Sequence, residues 1–220
     1  MWGVRVHPER GRGDVIPNPM KPKNEGCYHL ITSDKDDSIQ THLILIVSTC
    51  KYKLSEEEFV KPIVEIVREC GFSYEIKRYR ERIDTDYSKV IVCGTALMDL
   101  DYLRYVDKFE WLKDYDGEVL GICAGYQIIA KVFDNDLVEC KKIGVYEFDV
   151  VRDNPLIGKG TWKAYFLHRY ALKNVKNLEC LAIQNDEVCM FKVVGREFYG
   201  VSFHPEVLNR EIVVNFLHIS

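Results

Sequence analysis

A cysteine stands between two glycines in the segment Gly121-Ile122-Cys123-Ala124-Gly125. The short apolar run Val119-Leu120 precedes it, and a segment with helical character, Tyr126 to Phe133, follows. Glycines permit a sharp turn because they carry no Cβ atom. The free N–H groups and positive dipole end of a following helix favour thiolate over thiol. The pattern therefore predicts a nucleophilic cysteine on a strand-to-helix turn, with a buried core cysteine as the alternative.

A base for such a nucleophile lies far downstream, where the strand-like segment Phe198 to Phe203 runs into His204-Pro205-Glu206. A cysteine nucleophile needs a base, and the base needs an acidic partner that fixes its tautomer. Residues two apart in an extended segment point to the same side, and Pro205 favours extended geometry at His204. We therefore expect His204 and Glu206 to meet at the carboxyl end of this strand, with an ordinary surface turn as the alternative.

Together, the motifs G-x-C-x-G-x-Q and, about eighty residues later, G-V-x-F-H-P-E resemble those of the triad-type, or class I, glutamine amidotransferases. The resemblance covers roughly residues 42 to 217. Enzymes of this family hydrolyse the side-chain amide of glutamine and pass the ammonia to a synthetase. The resemblance implies that Cys123 is the nucleophile, His204 the base and Glu206 the residue that orients the base. It implies no metal and no organic cofactor.

The same resemblance implies which residues hold the substrate. Gln127 and the backbone near Tyr170 would contact the bound glutamine. The segments Asn154-Pro155-Leu156 and Phe166 to Tyr170 correspond to the later strands and the glutamine-holding loop of the family. His168 would then lie near the pocket, with a structural histidine in a strand as the alternative.

One turn departs from the family pattern. The family usually has a Gly-Gly-Pro turn after its third strand, where a glycine N–H forms half of the oxyanion hole. This chain has Val92-Cys93-Gly94-Thr95-Ala96 instead. By resemblance, Gly94 still supplies that N–H and Ala124 supplies the other. A misplaced donor lowers the rate by about 10²–10³, so the departure affects catalytic strength more than fold.

The composition is that of a soluble enzyme domain. Hydrophobic residues make up 47% of the 220 residues, which argues against disorder. A net charge of −4 and a pI of about 5.9 argue against a nucleic-acid partner. The apolar run Leu43 to Val47 is too short to span a membrane, and no signal peptide is apparent. Eight cysteines without zinc-site spacing favour reduced thiols, so we expect a cytoplasmic protein without a metal site.

Two regions differ in composition. Residues 1–41 contain four of the seven prolines and show no sustained periodicity, which predicts a partly irregular N-terminal extension. A short hairpin near Trp2 to Val4 or Tyr28 to Ile31 is possible there, and an unstructured tail is the alternative. Residues 42–220 form the predicted amidotransferase-like domain.

The domain begins with alternating strand and helix signals and continues with strands. Ser55 and Glu58 suggest a capping box, and Pro62 is expected to kink the following helix or delay its start. Asn185-Asp186 suggests a hairpin turn. These patterns predict an open, mostly parallel flavodoxin-like sheet with helices on both faces and a strand-rich second half, whose ligands bind beyond the carboxyl ends of the strands. The predicted strands are 43–47, 74–79, 90–92, 118–122, 143–151, 162–167, 179–184, 188–194 and 198–203, and helices are predicted at 97–112 and from about residue 209.

Three functions are compatible with the sequence. The first is a glutaminase that delivers ammonia to a synthetase on a separate polypeptide. The second is a stand-alone hydrolase of γ-glutamyl compounds with the same three residues. The third is a non-catalytic binding protein that keeps the fold. Release of ammonia from glutamine, measured with and without a synthetase, distinguishes them.

Overall fold

The computed structural model describes residues 43–219. The predicted extension, its possible hairpins and the boundary at residues 41 and 42 lie outside this range and stay predictions. No helix between residues 43 and 219 combines the length and the apolar character needed to cross a bilayer.

The described residues form one sheet of nine strands in the order β2-β1-β3-β4-β9-β8-β7-β5-β6. The first five strands in that order are parallel, and the remaining pairs are antiparallel. Strand β9 joins the two halves because it pairs with β4 on one side and β8 on the other. The strands are β1 Leu43–Ser48, β2 Ser73–Arg78, β3 Lys89–Val92, β4 Glu118–Ile122, β5 Val138–Val150, β6 Gly160–Ala171, β7 Leu178–Gln184, β8 Glu187–Val193 and β9 Phe198–Val201.

Helices cover both faces of the sheet, as predicted. Strand β1 shows why: Ile44 and Ile46 belong to one apolar cluster, whereas Leu45 and Val47 belong to another. Alternate residues of a strand point to opposite faces, so a strand that is apolar throughout must be covered twice. Helices α2 and α5 pack on the first cluster, and α3 packs on the second. The helices are α1 Glu56–Phe59, α2 Lys61–Glu69, α3 Ala124–Val132, α4 Pro205–Leu208 and α5 Arg210–Leu217.

Several local predictions need correction. Ser55 does not cap α1 through its side chain, and its backbone is already helical, so the capping-box prediction is wrong. Pro62 does delay the helix, because α1 ends at Phe59 and α2 begins at Lys61. The helix predicted from residue 97 is a 3₁₀ segment, Asp101–Lys113, with a non-helical kink at Tyr105. Residues 97 and 98 form a turn instead, and the carboxylate of Asp99 accepts a hydrogen bond from the backbone N–H of Lys51 at 2.6 Å.

In the second half of the chain, β5 and β6 are longer than predicted, whereas β9 ends at Val201 instead of residue 203. Strand β5 begins at Val138 rather than Ile143, and β6 extends from Gly160 to Ala171. The pairing of β5 with β6 shifts register between Glu139 and Lys142. This irregularity breaks the alternation of apolar and polar residues from which strands are predicted. The turn at residues 185–186 joins β7 to β8 as predicted.

Candidate active site

Cys123 lies on a sharp turn between β4 and α3. Its backbone angles are φ 49° and ψ −95°, which an L-residue adopts only under strain. The flanking glycines are required by close packing. A Cβ atom on Gly125 would lie 2.1 Å from the carbonyl oxygen of Val92, and one on Gly121 would lie 2.6 Å from the carbonyl group of Gly125. The glycine-cysteine-glycine spacing therefore produces the predicted tight turn.

His204 and Glu206 follow β9, which is the neighbour of β4 in the sheet. Nδ1 of His204 and Oε1 of Glu206 lie 2.7 Å apart, and the two side chains are 1% and 3% exposed. The backbone N–H of His204 donates to the carbonyl oxygen of Tyr165 at 2.9 Å. The predicted contact between the two side chains is present, but the backbone from His204 to Glu206 is not extended throughout, as the prediction assumed. His204 is extended, whereas Glu206 already belongs to α4, which Pro205 begins.

The nucleophile and the base meet at Gly94. A Cβ atom built on Gly94 would lie 3.3 Å from Cβ of Cys123 and 2.6 Å from Cε1 of His204. The two side chains therefore border the same point in space although they are far apart in sequence. Nε2 of His204 is buried and has no hydrogen-bond partner among residues 43–219, which leaves it free for Cys123.

The surroundings of His204 favour its charged form. Burial alone would lower the pKa of the imidazole. The negative charge of a Cys123 thiolate and the Glu206 carboxylate outweigh that effect and raise the pKa of His204 well above its ordinary value. An imidazolium beside a thiolate is the activated state of a cysteine nucleophile. The arrangement is therefore suited to covalent catalysis at Cys123.

The two residues predicted as oxyanion donors are both neighbours of the nucleophile. Ala124 is the first residue of α3, and the first N–H groups of a helix have no acceptor within it. Gly94 lies just beyond the end of β3, in contact distance of Cys123 and His204 as described above. Gly94 and Ala124 stay the predicted donors of the oxyanion hole.

Gln127 is already engaged within the protein. The hydroxyl of Tyr102 donates to its Oε1 at 2.5 Å, and its Nε2 donates to the carbonyl oxygen of Tyr170 at 3.0 Å. The side chain of Gln127 is only 2% exposed. Gln127 therefore ties α3 to β6 and to the 3₁₀ segment. Sequence reasoning misses Tyr102, because an aromatic residue in a helical segment is typical of a core position.

His168 lies on β6 beside the nucleophile. The preceding carbonyl oxygen, of Leu167, accepts a hydrogen bond from Sγ of Cys123 at 3.3 Å. The ring of His168 is 2% exposed, and its Nδ1 lies 2.9 Å from the carbonyl oxygen of Ser202. Burial lowers the pKa of His168, although the bond to Ser202 acts in the opposite direction. The histidine is thus buried and held by the backbone.

The cleft at Cys123 is narrow. It lies between the segment Thr95–Leu100, the start of α3 and residues 167–169 of β6, and its volume is about 10 Å³. Such a space holds about one water molecule. A larger cavity of about 460 Å³ shares the wall formed by Ala96, Asp99 and Leu100. The cleft and the larger cavity are therefore adjacent and share one wall.

Comparison with known proteins adds a family to this geometry. Residues 55–218 match the sequence profile of the family described as glutamine amidotransferase class-I. The A-type subunit of glutamine-hydrolysing GMP synthase from Methanobrevibacter smithii is 32% identical over 104 residues, which is 44% of this chain and 55% of that protein. The corresponding protein from Methanosphaera stadtmanae is 33% identical over 119 residues, covering 49% of this chain and 63% of that protein. The matches thus span little more than half of these relatives.

Solved structures share the fold. A Thermoplasma acidophilum protein, described as a candidate subunit of GMP synthase, superposes with a TM-score of 0.69 at 22% identity, covering 80% of this chain and 92% of that one. A glutamine amidotransferase from Thermotoga maritima gives a TM-score of 0.59 at 19% identity, covering 75% and 76%. At these identities the comparison supports a common architecture and no more.

Proposed function

The chain belongs to the class I glutamine amidotransferase family, and from this premise we propose that it hydrolyses the side-chain amide of glutamine with Cys123, His204 and Glu206 and delivers ammonia to a separate synthetase. The observation that carries the proposal is the meeting of Cys123 and His204 at Gly94, with Glu206 bonded to the far nitrogen of the imidazole.

The proposed reaction begins with transfer of the Cys123 thiol proton to His204. The thiolate attacks the γ-carboxamide carbon of glutamine, and the N–H groups of Ala124 and Gly94 stabilise the negative oxygen that forms. His204 then gives its proton to the leaving nitrogen, so ammonia departs and a γ-glutamyl thioester remains on Cys123. Water, deprotonated by His204, attacks the thioester, which releases glutamate and restores the thiol.

Glu206 acts on this reaction through His204. Its carboxylate accepts the Nδ1–H of the imidazole, which keeps Nε2 as the nitrogen that exchanges a proton with Cys123. It also stabilises the imidazolium that forms in the first step. The near-complete burial of both side chains strengthens this electrostatic effect, because water does not screen it.

Two observations support a role with a partner. The named relatives are subunits of a synthase, and the cleft at Cys123 has room for only about one water molecule. Movement of the wall at Ala96, Asp99 and Leu100 would widen the cleft, and a synthetase that contacts this wall would then control the entry of glutamine. The competing functions are a stand-alone γ-glutamyl hydrolase, which would be active alone, and a non-catalytic binding protein, which would be inactive in every condition.

The test is ammonia release from glutamine by the chain alone and after addition of the synthetase component of a GMP synthase. We expect activity that rises on addition of the synthetase and is abolished by Cys123→Ala. Cys180→Ala is the matched control, because Cys180 is a half-buried thiol on β7 away from the cleft. Full activity in Cys123→Ala would refute the mechanism, and equal activity with and without the synthetase would favour the stand-alone hydrolase.

A further inference from the structure

A second group of metal-ligating side chains lies on the antiparallel half of the sheet. The sulfur of Cys140, a ring nitrogen of His168 and a carboxylate oxygen of Glu187 all lie within 4.8 Å of one another. They come from β5, β6 and the start of β8, respectively. We propose that these three side chains bind a divalent transition-metal ion of the zinc type, with ligands that include neither Cys123 nor His204.

The backbone explains why these residues meet. The register shift between Glu139 and Lys142 is a bulge in β5, and a bulge changes the direction of the side chains around it. Lys142 pairs directly with His168 across the two strands. Cys140 lies within the bulge and donates its thiol hydrogen to Oε1 of Glu187 at 2.7 Å, so it reaches the same carboxylate as Lys142. The group is therefore built into the strands and does not depend on a loop.

His168 has the state that a metal ligand requires. Its Nδ1 lies 2.9 Å from the carbonyl oxygen of Ser202, which can only accept, so Nδ1 carries the hydrogen. Nε2 is then an unprotonated lone pair. It is buried and has no hydrogen-bond partner among the described residues 43–219. A backbone carbonyl that fixes the tautomer through the other nitrogen is the usual support of a histidine ligand.

The donor set selects the kind of ion. One thiolate, one imidazole and one carboxylate suit zinc and related transition metals, whereas calcium and magnesium prefer oxygen ligands alone. Ligand atoms around zinc stand roughly 3.5 Å apart. The present spacing of up to 4.8 Å thus needs only a modest contraction. With three protein ligands, water completes the tetrahedron.

Lys142 is the cation that already faces this group. Its Nζ lies 2.6 Å from Oε2 of Glu187 and also donates to Oε1 of Gln184. Glu187 has two oxygens, so Oε2 can keep Lys142 while Oε1 exchanges the Cys140 hydrogen for the metal. When the ion binds, the Cys140 thiol loses its proton to solvent, and no electrons are transferred.

The test uses Co²⁺ as a spectroscopic substitute for Zn²⁺ in the full chain carrying Cys123→Ala, which removes the other thiol that lies beside a histidine. We expect one Co²⁺ per chain with a thiolate-to-cobalt charge-transfer band. Cys140→Ser should abolish the band, and His168→Gln should weaken binding by at least about 10-fold, the lower end of what loss of a mere supporting residue costs. Cys180→Ser is the matched control and should leave the band unchanged.

Two results would overturn the proposal: no charge-transfer band at one equivalent of Co²⁺, or a band that persists in Cys140→Ser. If a variant does not fold, X-ray absorption of the Zn²⁺-loaded Cys123→Ala chain decides instead. One sulfur and one imidazole in the first coordination shell support the site, and a shell of oxygens alone refutes it.

Discussion

Gly94 is the position where the two halves of the proposed catalytic pair come together, so Gly94→Ala is the most informative substitution. The added methyl carbon would lie 2.6 Å from Cε1 of His204 and 3.3 Å from Cβ of Cys123. Carbon atoms in contact stand about 3.5–4.0 Å apart. The His204 ring must therefore retreat by about 1 Å. It is 1% exposed and packs on Phe59 with ring centroids 5.4 Å apart, so little space is available.

A shift of about 1 Å would disturb the 2.7 Å contact between His204 and Glu206 and the approach of His204 to Cys123. Misplacement of a catalytic group by that amount costs about 10²-fold in rate. Overpacking of a buried site also destabilises a fold by about 1–3 kcal/mol. We therefore expect Gly94→Ala to lower glutamine hydrolysis, and alkylation of Cys123 by iodoacetamide, about 100-fold. The free energy of unfolding should fall by about 1–3 kcal/mol.

The matched control is Gly158→Ala, because a Cβ atom on Gly158 would meet nothing within 4 Å and the backbone there has no positive φ. That variant should keep normal alkylation and be equally or slightly more stable. Alkylation measured by mass spectrometry reports on Cys123 even if hydrolysis needs a partner. If Gly94→Ala reacts at the rate of the unaltered chain, the inferred crowding of His204 against Gly94 is wrong.

Three further substitutions test the site and its surroundings. Glu206→Gln should lower the raised pKa of His204 and slow alkylation of Cys123 at pH 7 about 10-fold, with the difference shrinking in alkaline buffer; an unchanged pH profile would contradict this. Because the folded pKa of His204 is raised, its stabilising effect is fully present below pH about 6.5 and is lost as the pH rises through that folded pKa, so the same variant should lose stability mainly at acidic and neutral pH. Cys123→Gly should be more stable than Cys123→Ala by about 1–2 kcal/mol in chemical denaturation, because only glycine tolerates φ 49° with ψ −95°; equal stabilities would show that the turn stores no strain. Lys142→Met should cost about 3–5 kcal/mol by leaving Glu187 buried without its counter-ion, and Lys142→Met/Glu187→Gln should recover part of that loss; a double variant as unstable as the sum of the singles would exclude the pairing.

Sequence reasoning works where a feature is local. The turn at Cys123 follows from its two flanking glycines, and β4 occupies the predicted residues 118–122. His204 and Glu206 are two residues apart, so a proline between them suffices to suggest their contact. The fold class follows from the alternation of apolar runs, because each strand that is apolar throughout demands cover on both faces.

The remaining features depend on contacts between distant segments. No pattern in the chain indicates that Gly94 touches His204, or that Tyr102 holds Gln127, since each contact exists only after the sheet has formed. The Cys140 group has no sequence signal for a related reason: its ligands lie on three strands and have none of the short spacings of zinc motifs. The sequence predicts an α-helix where the structure has a 3₁₀ segment, because apolar periodicity does not separate the two at this length.

The position of β9 has a consequence for folding during synthesis. Strand β9 is the last of the nine described strands along the chain, yet it lies between β4 and β8 in the sheet and brings His204 to the nucleophile. Until β9 has been synthesised, Cys123 lacks the imidazole of His204, and the parallel strands are not yet joined to the antiparallel ones. The proposed activation of Cys123 by His204 therefore begins only when β9 joins the sheet. Before that point, the Cys123 thiol is less reactive.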